Sequence, residues 1–99
     1  MLLHTVNKSP HASDALDSCL RTALPGSQLL LIEDGVYAAR EGSAAATQIA
    51  ATEGLRCYAL AADVAARGLD GLLAAEIELV DYSDFVQLAA DCHAVQSWY

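Results

Sequence analysis

Residues 28–35 read QLLLIEDG, and this stretch decides the fold. Four consecutive apolar residues, Leu29 to Ile32, are followed by two acids and a glycine. An apolar run of this length, without polar alternation, is typical of a strand buried on both faces of a parallel sheet. Parallel neighbours need crossover segments, so helices are expected before and after this strand.

The segments on either side alternate as this interpretation requires. Three further stretches are predicted strands: 2–6 (LLHTV), 54–60 (GLRCYAL) and 75–82 (AEIELVDY). Helices are predicted up to about residue 24, over 43–52, over 61–68 and over 83–92, and the tail 93–99 is read as irregular or as a short edge strand. The order predicts an α/β fold: one domain, residues 1–99, a small three-layer parallel sheet of four to five strands with helices on both faces.

Local signals predict where the elements begin and turn. Ser9 or Ser13 is expected to cap the first helix, and Ser43 the second. The acids at 33 and 34 are expected to begin a helical segment, where the helix dipole favours negative charge. Gly35 is expected to make a tight turn with a positive φ angle.

The composition indicates that the partners of this chain are proteins rather than nucleic acids. The chain carries 13 acidic and 5 basic residues, a formal net charge of −8, which repels phosphate backbones. Apolar residues make up 55% of the sequence. An Ala-rich helical surface would account for part of this, but a small sheet covers both faces with difficulty, which favours an apolar face reserved for a partner subunit.

Cofactor and metal motifs are absent from the sequence. It contains no GxGxxG, GxxxxGK[ST], HExxH or CxxC pattern, so we expect no nucleotide, metal or other cofactor. A paired-carboxylate catalyst at Glu33 and Asp34 is disfavoured, because neither acid has an evident partner to shift its pKa. Any site should draw on the carboxyl ends of the strands, which are followed by NKSP, EDG, LAAD and DYSD.

The first residues and the cysteine content indicate a cellular compartment. Three cysteines without framework spacing fit a reducing environment. The opening MLLHTVNKSP has no basic start and too short an apolar run for a signal peptide, and no later run is long enough to span a membrane. We therefore expect a soluble, cytoplasmic protein.

The three thiols have different expected environments. Cys57 lies within a predicted strand and should be buried and inert, whereas Cys92 ends the last helix and should be half exposed. Cys19 lies at the flank of an apolar stripe on the first predicted helix (Ala12, Leu16, Leu20, Ala23 and Leu24). Helical spacing alone favours a Cys19 thiol that is packed in the core. A position at the flank of the apolar stripe would also suit a thiol in a subunit interface or a cleft. Arg21 and Lys8 would lower its pKa only if the fold brought them close.

Two aromatic features complete the candidate residues. His4, inside the first strand, is expected to be a packed, hydrogen-bonded core histidine, and His11 at a helix start is expected to be solvated. Trp98 and Tyr99 end the chain, where they either fold back on the core or anchor a subunit interface.

Five segments, taken together in order, resemble the DsrH/TusB family, and the resemblance runs from end to end of the chain. They are LHTVNKSP at 3–10, LLIEDGVYAA at 30–39, YALAADVAARGL at 58–69, VDYSDFVQLA at 80–89 and VQSWY at 95–99. The family is the small subunit of the sulfur-relay complexes DsrEFH and TusBCD. The resemblance implies a DsrE-like domain, sibling DsrE-like and DsrF-like subunits in a heterohexamer, and a DsrC/TusE-like acceptor of persulfide sulfur.

The resemblance also implies a pathway and a site. A cysteine within LDSCLR and the ending ADCHAVQSWY are more similar to DsrH, which favours oxidation of stored sulfur; a TusB-type role in 2-thiolation of the tRNA wobble uridine is the alternative. Cys19 is then the candidate sulfur-carrying thiol. In the family the principal persulfide cysteine lies on a sibling subunit, so a purely structural, non-catalytic role for this chain is a further alternative.

Overall fold

The computed structural model describes residues 2–99. In chain order its elements are β1 (Leu2–Val6), α1 (Ala15–Thr22), β2 (Gln28–Leu31), a 3₁₀ helix (Glu33–Ala39), α2 (Ala44–Ala51), β3 (Arg56–Leu60), α3 (Ala61–Ala66), β4 (Ile77–Val80), α4 (Tyr82–Asp91) and β5 (Ala94–Trp98). The strands form one parallel sheet in the order β4-β3-β2-β1-β5. The predicted α/β fold is therefore confirmed, with the tail as a fifth strand.

Strand β2 lies at the centre of the sheet, and all four of its residues are buried. From β1 the chain steps outward through β2 and β3 to β4, and then returns across the sheet to place β5 beside β1. Crossovers between parallel strands are right-handed. Because the chain reverses its direction across the sheet before β5, α4 must lie on the face opposite the earlier helices.

The two faces of the sheet are covered unequally. The larger core cluster joins β2 and β3 to α1, the 3₁₀ helix, α2 and α3, through side chains that include Leu16, Val36, Ile49 and Val64. The smaller cluster contains four buried residues, with Phe85 and Leu88 of α4 packed against it. No residue of α4 is buried, so this second layer is thin.

The carboxyl-terminal strand β5 is held to β1 by side chains as well as by backbone pairing. Thr5 Oγ1 donates to Ser97 Oγ at 3.2 Å, and Trp98 Nε1 donates to His4 Nδ1 at 3.0 Å. Trp98 therefore folds back on the core, while Tyr99 is 82% exposed. His4 is buried and hydrogen-bonded, as the sequence predicts.

The predicted role of Gly35 is wrong. Its φ angle is not positive; the positive φ in this turn belongs to Glu33, at 49°. Gly35 is required instead because the 3₁₀ helix crosses the end of β1 backbone to backbone. A Cβ atom at Gly35 would overlap the Val6 carbonyl oxygen and lie 2.9 Å from the Val6 carbonyl carbon.

The predicted cap of α2 is confirmed, whereas several predicted helix ends shift by a few residues. Ser43 caps α2 as expected, accepting from the Ala46 N–H at 3.1 Å. Helix α1 begins after Asp14, which makes no side-chain capping bond, and Ser13 Oγ accepts only from the Ala15 N–H. Helix α4 begins one residue earlier than predicted, because Asp81 and Asp84 form a capping box.

Within the described part of the chain, no helix combines the length and the apolar character needed to cross a membrane.

Replacing Gly35 with alanine should destabilise the protein by about 3 kcal/mol, because the new methyl group can be accommodated only if the backbone moves. The matched control is Gly42→Ala. Gly42 has φ +83° but open space around it, so the control should cost only about 1 kcal/mol of conformational strain. Urea unfolding of the two variants measures both losses, and equal losses would contradict the close-approach explanation.

Candidate functional site

Four residues at the carboxyl edge of the sheet form one hydrogen-bonded group, Glu33, Asp34, Asp63 and Arg67, called here the carboxyl-edge cluster. The Glu33 N–H donates to Asp63 Oδ2 at 2.7 Å. Arg67 Nε donates to Asp34 Oδ1 at 2.9 Å, and Arg67 Nη1 donates to the Asp63 carbonyl at 3.2 Å. The ends of β2 and β3 thus meet, as a parallel sheet requires.

The cluster stabilises an unfavourable turn. Glu33 has a left-handed backbone, which costs a non-glycine residue free energy, and the Asp63 carboxylate holds its N–H in that conformation. The hydrogen bond to Asp34 raises the pKa of Arg67, which stays charged. With the Asp34 and Asp63 carboxylates bound by donors from this chain, the arrangement fits a structural clamp between the 3₁₀ helix and α3 better than acid–base catalysis.

The other predicted edge segments do not join the cluster. In DYSD, the Asp84 N–H donates to Asp81 Oδ1 at 2.8 Å, and the Asp81 N–H donates to Asp84 Oδ2 at 3.1 Å, so both carboxylates cap α4. The charged residue of NKSP, Lys8, is exposed. Of the four strand-end segments, the structure therefore brings EDG and LAAD together.

Cys19 lies at the centre of the buried face of α1 rather than at its flank. Its exposure is 0%, and Leu16 on the same face is also buried, whereas Leu24 of the predicted stripe is 73% exposed. The helix ends at Thr22, so Leu24 lies beyond it and cannot continue the stripe.

The electrostatic surroundings of Cys19 keep it a neutral thiol. Burial raises its pKa to about 12. Arg21 does not offset this, because its guanidinium pairs with Asp17 at 2.6 Å on the exposed side of the helix. The thiolate is the form that attacks sulfur, so a thiol with a pKa this high is almost entirely in the unreactive form at pH 7.

The other two thiols match their predicted environments. Cys57 is buried, and burial, with smaller contributions from Cys19 and Glu76, raises its pKa strongly. Its Sγ donates weakly to the Tyr58 carbonyl at 3.8 Å. Cys92, after α4, is half-buried. Residues 2–99 contain no group of three or more histidine, cysteine or acidic side chains arranged to hold a metal ion.

Sequence reasoning missed one residue and one contact that organise the molecule. Arg67 was not singled out, although its i,i+4 spacing from Asp63 on one helix predicts that the two side chains are neighbours. The pairing of Trp98 with His4 joins residues 94 positions apart. No local pattern could have indicated that contact.

Known proteins match this chain over nearly its whole length. The family model described as "DsrH like protein" matches residues 8–95. TusB from Sodalis glossinidius is 40% identical over 97 residues, covering 98% of this chain and all of the relative. TusB from Escherichia coli is 37% identical over the same coverage. The crystal structure of the ychN protein from Escherichia coli superposes with a TM-score of 0.76 at 16% identity, covering 97% of each chain, a likeness of fold alone.

Replacing Asp63 with alanine should lower the free energy of unfolding by about 1.5 kcal/mol, because the Glu33 N–H loses its acceptor and Arg67 loses an ion-pair partner. The control Asp70→Ala removes an exposed acid outside the cluster and should change stability by less than about 0.5 kcal/mol. Chemical denaturation compares the two. Equal losses would show that the cluster does not stabilise the turn.

Alkylation should separate the three thiols of the folded chain. Iodoacetamide should label Cys92 first, because Cys19 and Cys57 are both buried and protonated. Peptide mass spectrometry after a short native pulse should find one label, and after denaturation three. If Cys19 is labelled in the native chain as fast as Cys92, the packed position of its thiol is wrong.

Proposed function

The chain belongs to the DsrH-like family of sulfur-relay subunits, and we propose from this that it works in a TusB-type complex that supplies sulfur for 2-thiolation of the tRNA wobble uridine. The observation that carries the proposal is the end-to-end similarity to TusB proteins, at 40% and 37% identity. These relatives support the tRNA alternative more than oxidation of stored sulfur, which the sequence analysis favoured.

One of the two features that pointed toward the Dsr branch, the cysteine in LDSCLR, has a simpler explanation. Cys19 is fully buried beside Leu16 in the larger core cluster, so its presence in LDSCLR is accounted for by packing. A core thiol in this position is compatible with either pathway and does not favour one of them.

The transfer chemistry requires an exposed thiolate. An acceptor cysteine attacks the outer sulfur of a donor persulfide; the donor S–S bond breaks, a new S–S bond forms on the acceptor, and the donor leaves as a thiolate. No oxidant or cofactor is consumed. Sulfur carriage by Cys19, the site predicted from the sequence, would require α1 to open, because the thiol is 0% exposed with a pKa of about 12.

We therefore assign the persulfide to a sibling subunit and give this chain a positioning role within the complex. The predicted partners are DsrE-like and DsrF-like siblings in a heterohexamer and a DsrC/TusE-like acceptor, all in the cytoplasm, where tRNA is modified. Exposed apolar side chains support a surface that other subunits cover, among them Tyr82, Val86 and Val95. The net charge of −8 makes a direct contact between this chain and tRNA unfavourable.

Deleting the gene for this chain in its own host should abolish 2-thiouridine at the wobble position, because the relay loses one of its subunits. Nucleoside mass spectrometry of total tRNA measures the loss, and the wild-type chain supplied from a plasmid should restore it. The Cys19→Ala variant should restore it as well, since the proposed role does not use that thiol.

Two outcomes would contradict this proposal in different ways. Normal 2-thiouridine in the deletion strain, together with a defect in oxidising stored sulfur, would return the chain to the Dsr branch. Rescue by the wild type and Cys92→Ala but not by Cys19→Ala, with all variants equally folded, would make Cys19 a sulfur carrier.

A further inference from the structure

A cavity of about 700 Å³ lies at the amino end of the sheet, the end opposite the carboxyl-edge cluster. It opens between the starts of β1 and β2 and the segment after α1, and its walls include Leu2, Thr22, Leu24, Pro25 and Ser27. This volume is in the range of pockets that bind small molecules, about 300–1,000 Å³. None of the residues proposed for the relay lines it.

One buried imidazole gives this cavity a specific polar group. His4 lines the cavity, is only 2% exposed, and accepts the Trp98 indole N–H on Nδ1 at 3.0 Å. An indole nitrogen can only donate, so Nδ1 is unprotonated, and neutral His4 carries its proton on Nε2. Burial lowers the pKa of His4, which favours this neutral form.

The Nε2–H group is a buried donor, and no side chain or carbonyl within residues 2–99 accepts a hydrogen bond from it. His4 forms part of the cavity wall, and Nε2 is the ring nitrogen that the Trp98 indole leaves without a partner. Buried donors of this kind are strongly stabilised by an acceptor.

We propose that this cavity is a binding site for a small, uncharged, mainly apolar molecule with one hydrogen-bond acceptor, such as a carbonyl oxygen, that receives the His4 Nε2–H. The wall surface is mainly apolar. Its polar side chains are those of His4, Thr22, Ser27 and His93, and among the described residues it includes no carboxylate, lysine or arginine. A neutral donor in apolar surroundings selects a neutral acceptor, since a charged ligand would be desolvated without a counter-charge.

Trp98 provides a built-in reporter, because it is the only tryptophan and bonds to the same ring. An acceptor on Nε2 raises the electron density at Nδ1, which strengthens the bond from the Trp98 N–H. Ligand in the cavity should therefore move two proton signals together, those of His4 Nε2–H and Trp98 Nε1–H.

The experiment titrates the full-length ¹⁵N-labelled chain with cyclohexanone and, separately, with cyclohexylammonium, which has the same ring but no acceptor. Cyclohexanone should move both signals along one saturable curve, and cyclohexylammonium should move neither. His4→Phe keeps an aromatic ring but removes the donor, and should weaken cyclohexanone binding about fivefold.

A second pair of variants keeps the test valid if His4→Phe does not fold. Leu24→Asn changes an exposed wall residue and should weaken cyclohexanone binding about threefold, whereas Leu72→Asn, an exposed leucine away from the cavity, should leave it unchanged. The proposal is overturned if cyclohexanone produces no saturable shift, if both probes shift His4 alike, or if the two leucine variants behave alike. It does not depend on the sulfur-relay role.

Discussion

The burial of β2 on both faces is the constraint on which the rest of the structure depends. Leu29, Leu30 and Leu31 have no exposed surface, so strands must pair on each side and a layer must cover each face. Each such leucine contributes about 2 kcal/mol through removal from water. The chain meets the requirement unevenly, with four helical segments on one face and α4 alone on the other.

This unevenness decides what each thiol can do. Cys19 of α1 and Cys57 of β3 both lie in the larger core cluster, and both are kept protonated by burial. Persulfide transfer requires a thiolate, so neither Cys19 nor Cys57 can take part in it while buried and protonated. The thin layer instead leaves apolar side chains of α4 and β5 on the surface, which fits a chain that acts through contacts with siblings. The side-chain hydrogen bond from Trp98 to His4 connects the edge strand to the core.

The parallel α/β architecture could be predicted because the β2 run and the alternating segments around it are local signals. The failures have physical causes. Gly35 was assigned a positive φ because glycine usually supplies one, but its reason is a backbone contact with Val6, distant in sequence. Cys19 was placed at a flank because the helix was extended through Leu24, and the early end at Thr22 recentres the buried face. The family resemblance indicated a sulfur-relay subunit, which no spacing in the sequence could, but it favoured oxidation of stored sulfur, whereas the TusB relatives support the alternative better.

Persulfide loading of the assembled complex tests the central claim, that this chain positions sulfur chemistry without carrying it. The purified complex is incubated with a sulfur donor, free thiols are alkylated, and each subunit is weighed intact. The account predicts one added sulfur atom on a sibling subunit and none on this chain. An added sulfur atom on this chain, mapped to Cys19, would contradict it.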